Sequence, residues 1–168
     1  MADTPSFLTE RLQSEGEKAL AFFRNLSAAQ WEQIIYSREQ PNEEGDGWRA
    51  RDLLAHFVVV EENFARLIAN VAEGGPGAPP DFDIESFNQS TVAEAGLLPT
   101  AVLLQNFGEA RQQTVRLVAS LTVDDLAKVG RHPFLGQIAL GEMIKLIYRH
   151  NQLHLRDLRR IVPLNWGS

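Results

Sequence analysis

The sequence predicts an all-α fold, a four-helix bundle with one long crossover connection, over a single domain spanning 1–168. Three observations carry this. Four long stretches repeat apolar residues at spacings of three and four, the signature of helices with one buried face. No segment sustains an apolar–polar alternation bounded by hairpin turns, so no sheet is expected. The second and third long stretches are separated by about 25 residues, more than a tight helix–helix turn needs.

Taken in order, Thr4 is a candidate N-cap and Pro5 suits a first helical position. Leu8, Leu12, Ala19, Phe22, Phe23 and Leu26 mark the first apolar face. Ser27 with Gln30 three residues on is a capping signal for a short extra turn around Trp31. From Ser37 to Gly47 the composition shifts to Pro, Asn, Glu, Gly and Asp, which predicts a loop. The second long helix is expected from Arg49 to Glu73, with the stripe Leu53, His56, Phe57, Val60, Phe64, Leu67 and Val71. Gly74-Gly75-Pro76-Gly77 stops it.

Ala78 to Asp83 reads as irregular, and Ile84 to Ala95 as a short helix closed by Gly96. Pro99-Thr100 opens the third long helix, whose stripe is Leu103, Phe107, Ala110, Thr114, Leu117 and Leu121. Thr122 to Leu126 has the pattern of a capped turn. Gly130 to Gly136, including His132, is expected as a loop; His132 either approaches the mouth of a metal site or, the preferred reading, is exposed on the loop. The last helix is expected from about Ala139 to Val162 and is ended by Pro163.

Composition narrows the function. Hydrophobic residues at 44% and charged residues at 23% are ordinary for a globular domain. A net charge of −6 gives no support to nucleic-acid binding, which calls for a basic surface. With no cysteine, disulfides, thiolate ligation and a cysteine nucleophile are excluded, so any reactive thiol must arrive from outside. The N-terminus lacks the pattern of a signal peptide, and no apolar run is long enough to cross a membrane. A cytoplasmic protein acting on a small molecule is therefore expected.

The candidate site rests on three histidines. His150 and His154 are four residues apart, so both fall on one side of a helix. They sit inside the apolar stripe Met143, Ile147, His150, His154, Leu158 and Ile161. His56 belongs to the apolar stripe of the second long helix. Two packed helices with inward imidazoles could form a three-nitrogen metal site with positions open to water or substrate. The plainer reading of each histidine is a hydrogen-bonded core residue, since a buried polar ring needs a partner.

Gly47-Trp48-Arg49-Ala50-Arg51-Asp52-Leu53-Leu54-Ala55-His56 resembles the opening of the second helix in DinB-like four-helix bundles. Phe134 to Met143 is similar to the entry into their last helix, and His150 to Leu158 to that helix's His-x-x-x-His motif. The resemblance implies that His56, His150 and His154 bind a divalent metal, nickel or zinc, and that the protein is a homodimer. It further implies relatedness to thiol-dependent enzymes such as mycothiol-dependent maleylpyruvate isomerases and bacillithiol S-transferases. Asp157 departs from the glutamine common in that family. It could hydrogen-bond a ligand imidazole, although facing water is the preferred reading.

A divalent ion on three neutral imidazoles could ionise a water, the hydrolase reading, or a low-molecular-weight thiol acting as cosubstrate, the preferred transferase or isomerase reading. A bundle that binds a metal or small ligand without catalysis is the third. Asn63, seven residues after His56, either orients substrate or touches solvent at the rim. Glu61 and Glu62 point away from His56 by helical phase and are not nominated as ligands or bases. Trp31, Trp48 and Tyr148 read as packing residues.

Overall fold

The structure is a computed structural model that describes residues 3–37 and 47–162. Four long helices dominate: α1 (Pro5–Arg24), α3 (Ala50–Ala72), α5 (Thr100–Ala119) and α7 (Leu140–Ile161). Three shorter helices join them: α2 (Ala28–Trp31), α4 (Ile84–Ala95) and α6 (Val123–Leu126). Thr4 caps α1 by accepting from the Phe7 N–H at 3.2 Å, with Pro5 in the first turn. Ser27 with Gln30 and Thr122 with Asp125 form reciprocal capping boxes on α2 and α6. Most of the loop expected from Ser37 to Gly47, and the stop at Pro163, lie outside the described residues.

Two buried clusters reveal the chain directions. Leu8 and Leu12 of α1 share one cluster with Ile68 and Val71 of α3, Val115 and Val118 of α5, and Leu140 and Met143 of α7. The other joins Phe22 and Phe23 with Leu53, Phe57, Leu103, Phe107, Leu155 and Leu158. Thus α1 and α7 run from the first cluster to the second, whereas α3 and α5 run the opposite way. Because α3 and α5 are parallel neighbours, the linker between them must return along the bundle. It is the expected crossover, and α4 packs it against α3.

The structure corrects the expectation for residues 129–139. They form an antiparallel hairpin of β1 (Val129–His132) and β2 (Gly136–Ala139), with His132 opposite Gly136. Strands of four residues are too short to display an alternation in sequence. The crossover is pinned to this hairpin: the Ala78 N–H donates to the Arg131 carbonyl at 2.8 Å, and the Arg131 N–H to the Pro76 carbonyl at 2.9 Å. Gly77 between them has φ 87°, and a Cβ there would stand 2.4 Å from the Arg131 nitrogen. Only glycine fits.

At the centre of the bundle, Arg111 of α5 is buried, 2% exposed, and paired with Glu61 of α3, 1% exposed. Its Nε and Nη2 donate to the two Glu61 oxygens at 2.8 Å each. Nη2 also donates to Asn151 Oδ1 of α7 at 2.5 Å, and Nη1 to the Leu12 carbonyl of α1 at 2.7 Å. One guanidinium therefore joins all four long helices. Gly16 makes room for it, since a Cβ there would lie 2.8 Å from Arg111 Cγ.

Two outcomes are expected. Arg111→Met alone strands a buried carboxylate and should cost about 3–5 kcal/mol in urea denaturation. Adding Glu61→Leu should recover most of that loss; a double variant no more stable than the single one would contradict this account of the pair. Gly77→Ala should cost about 1–3 kcal/mol through backbone strain, and an unchanged denaturation midpoint would argue against the pinned crossover.

Candidate functional site

The three histidines meet between α3 and α7. His56 is 1% exposed, His154 is fully buried and His150 is half-buried. His150 Nε2 lies 3.1 Å from His56 Nε2 and 3.0 Å from His154 Nε2. One nitrogen from each ring falls within 4.8 Å of the others. The His150 nitrogen bears either a hydrogen or a lone pair, so it can act as acceptor for both neighbours or as donor, but not as both at once. A cation asks for three lone pairs directed at one point. Nitrogens about 2.0–2.1 Å from a common ion stand roughly 3 Å apart, and the two shortest separations here fit that spacing. This donor set fits a divalent ion.

The surroundings fix the rings. Trp48 packs on His56 with ring centres 4.7 Å apart, and Phe57 lies 5.9 Å from His154. Residues 33–36 are held against 48–50: the Ile35 and Tyr36 N–H groups donate to the Trp48 carbonyl at 2.7 and 3.2 Å, and Ala50 N–H to the Gln33 carbonyl at 3.0 Å. This brings Tyr36 to the cluster, its hydroxyl 2.7 Å from His154 Nδ1. The same hydroxyl donates to Asp157 Oδ2 at 3.2 Å. A hydroxyl has one hydrogen and the carboxylate can only accept, so the tyrosine oxygen is left to accept from His154 Nδ1–H. That tautomer presents the Nε2 lone pair to the cluster. Asp157 thus does more than face water, which corrects the preferred sequence reading: it reaches His154 through Tyr36, while its exposed side lies 3.6 Å from Arg156 and 3.8 Å from Arg160.

His56 and His150 form part of the wall of a cavity of about 320 Å³ between α3, α4, the hairpin and α7. The wall is mostly apolar, with Val60, Phe64, Ile84, Leu146 and Leu153. Among the described residues, Asn88, His132 and Arg149 are its other polar members, and no Asp or Glu lines it. His132 is 7% exposed rather than on an open loop, because the hairpin folds it inward against Phe64, 5.5 Å between ring centres. Burial holds its pKa below the usual histidine value. Its Nδ1 accepts from the N–H groups of Phe134 and Leu135 at 3.1 and 3.2 Å, so the hydrogen sits on Nε2.

Asn63 lies away from the histidine cavity. It lines the adjoining space of about 270 Å³, donates to the Val59 carbonyl at 2.7 Å and accepts from Arg66 at 3.3 Å. Glu61 is turned to Arg111. Trp31 stacks on Phe23 at 5.6 Å, and Tyr148 is buried in the core. Sequence reasoning did not find Tyr36, Asn88 or Arg149. Asn88 did leave a signal, four residues from both Ile84 and Val92 on one face of α4.

Comparisons with known proteins agree with this geometry. A family model described as the DinB superfamily matches residues 11–158. A Bacillus cereus protein named "putative metal-dependent hydrolase" is 29% identical over 126 residues, covering 71% of this chain and 68% of that protein. Mycothiol-dependent maleylpyruvate isomerase superposes with a TM-score of 0.74 at 12% identity, over 92% of this chain and 60% of the isomerase. This chain therefore spans less than two thirds of that enzyme. YfiT from Bacillus subtilis, described as "a probable metal-dependent hydrolase with an unusual four-helix bundle topology", gives 0.72 at 16% identity, over 96% of this chain and 85% of YfiT. At these identities the solved structures establish the fold, and the family match spans most of the sequence: the chain belongs to the DinB superfamily.

Proposed function

We propose that this protein is a metal-dependent enzyme whose zinc or nickel ion is held by Nε2 of His56, His150 and His154, and that it joins a low-molecular-weight thiol to an electrophilic small molecule. The observation that carries this reading is the convergence of three ring nitrogens at the wall of an apolar cavity. A divalent ion there would supply a Lewis-acidic charge that lowers the pKa of a thiol or water reaching it.

The chain's own residues favour a thiol. Among the described residues, no carboxylate lines the cavity to serve as a base. His132 cannot take a proton at Nδ1 without giving up two backbone hydrogen bonds, and its Nε2 already carries one. A nucleophile that readily loses its proton suits such a wall, and a free thiol near pKa 8.5 does so far more easily than water. In the transfer a sulfur–carbon bond forms as the carbon's bond to its leaving group breaks. The leaving group (chloride in 1-chloro-2,4-dinitrobenzene) departs with the bonding pair, and the thiol proton goes to solvent. The apolar side chains of the wall offer a competing water few hydrogen-bond partners. Hydrolysis is the second reading, favoured by the name carried by the Bacillus cereus relative.

The test is turnover by zinc- or nickel-loaded protein of 1-chloro-2,4-dinitrobenzene with mycothiol or bacillithiol, beside a panel of activated esters. Conjugate formation that requires metal and thiol, and falls to background in His150→Ala, is expected. Ester cleavage without thiol would favour the hydrolase instead, and inertness toward both would leave a binding protein. Tyr36→Phe removes the contact that orients His154 and should weaken metal binding about 10–100-fold in a chelator competition, with helix content unchanged. Equal affinity in parent and variant would rule out a positioning role for Tyr36.

A further inference from the structure

The histidine cavity carries polar groups that metal binding does not use. Asn88 is 3% exposed and lines the cavity. Its carboxamide makes no hydrogen bond among the described residues, and its polar atoms are not sealed off. An unpartnered amide is costly inside a protein unless something occupies the space in front of it. His132, on the opposite element, has the same property at one atom. Its Nδ1 is fully engaged with its own turn, while the Nε2–H donor has no partner among the described residues. Arg149 stands exposed at the wall with no ion pair among the described residues.

The signs of these groups agree. His132 Nε2–H and Arg149 can only donate, Asn88 can donate through its NH₂, and among the described residues no acidic side chain lines the space. Two of the three groups call for an accepting ligand and the third allows one, and beside the Arg149 guanidinium a negative charge is favoured. The rest of the wall, including Val60, Phe64, Ile84 and Leu153, asks for an apolar body.

We propose that the cavity binds a mainly apolar molecule bearing a carboxylate, with Asn88 and His132 as hydrogen-bond donors and Arg149 as counter-charge. The proposal deepens the metal-enzyme reading and rests on it for the cavity's role as the substrate site. Asn88 and His132 are specificity residues in this account, since they touch the ligand and not the reacting centre.

The test is calorimetric titration of metal-free protein with 4-phenylbutanoate, 4-phenylbutan-1-ol and 4-phenylbutylamine. The carboxylate should bind tightest and the amine weakest. Asn88→Leu and His132→Phe should each weaken the carboxylate about 10-fold, the loss of one hydrogen bond to a charged group, and weaken the alcohol less, the loss of a hydrogen bond to a neutral one. Retained alcohol binding shows that the cavity is intact. Asn88→Asp should reverse the order of carboxylate and amine. Amine binding as tight as carboxylate binding, undiminished carboxylate binding in the Leu and Phe variants, or no binding of the carboxylate would each overturn the proposal. Because these titrations use metal-free protein, carboxylate binding is read independently of metal content, so failure of the metal reading and failure of this one are distinguished.

Discussion

The Arg111 guanidinium is the contact on which the architecture depends. It is buried and touches α1, α3 and α7 from its own position on α5. A buried charge that loses a partner is expensive, so the four helices cannot slide past one another without cost. Two of its anchors bear directly on the site. Glu61 follows His56 by little more than one turn of α3, and Asn151 is the residue after His150. Holding Glu61 and Asn151 to one guanidinium sets the register between α3 and α7, and that register decides whether the three imidazoles meet.

The cluster is then refined by contacts from outside the long helices. The backbone pairing of 33–36 with 48–50 sets Tyr36 against His154 and Trp48 against His56. The hairpin and the crossover close the other side and leave an apolar cavity at the histidines. The bundle supplies the nitrogens, and the connections supply their orientation and the space in front of them. This division is common where a rigid scaffold carries variable loops. Here the connections bring both the hydroxyl that orients a ring and the donors that face the cavity.

What the sequence revealed follows from the same division. His56, His150 and His154 were legible because each occupies an inward position of a long helix, where a period of 3.6 residues is plain. The crossover was legible from the length of the linker, and the caps at Thr4, Ser27 and Thr122 from local chemistry. The hairpin was not, because its strands are four residues long and its closure depends on Pro76 and Ala78, some fifty residues away. His132 was misplaced for that reason. Tyr36 and Asp157 were illegible as a pair because they are brought together by tertiary hydrogen bonds rather than by spacing along one helix. Arg111 does follow Leu103 and Phe107 at steps of four. Its burial becomes intelligible only with the space left by Gly16 and the carboxylate of Glu61.

The central claim is that three ring nitrogens drawn together by this packing hold a metal ion. Mass-spectrometric metal content of protein purified without an affinity tag, beside His154→Ala, tests it most directly. Close to one divalent ion per chain is expected in the parent, and its loss from a variant that remains folded. Absence of metal from both, even after incubation with zinc or nickel salts, would contradict it and leave three buried imidazoles held by hydrogen bonds alone.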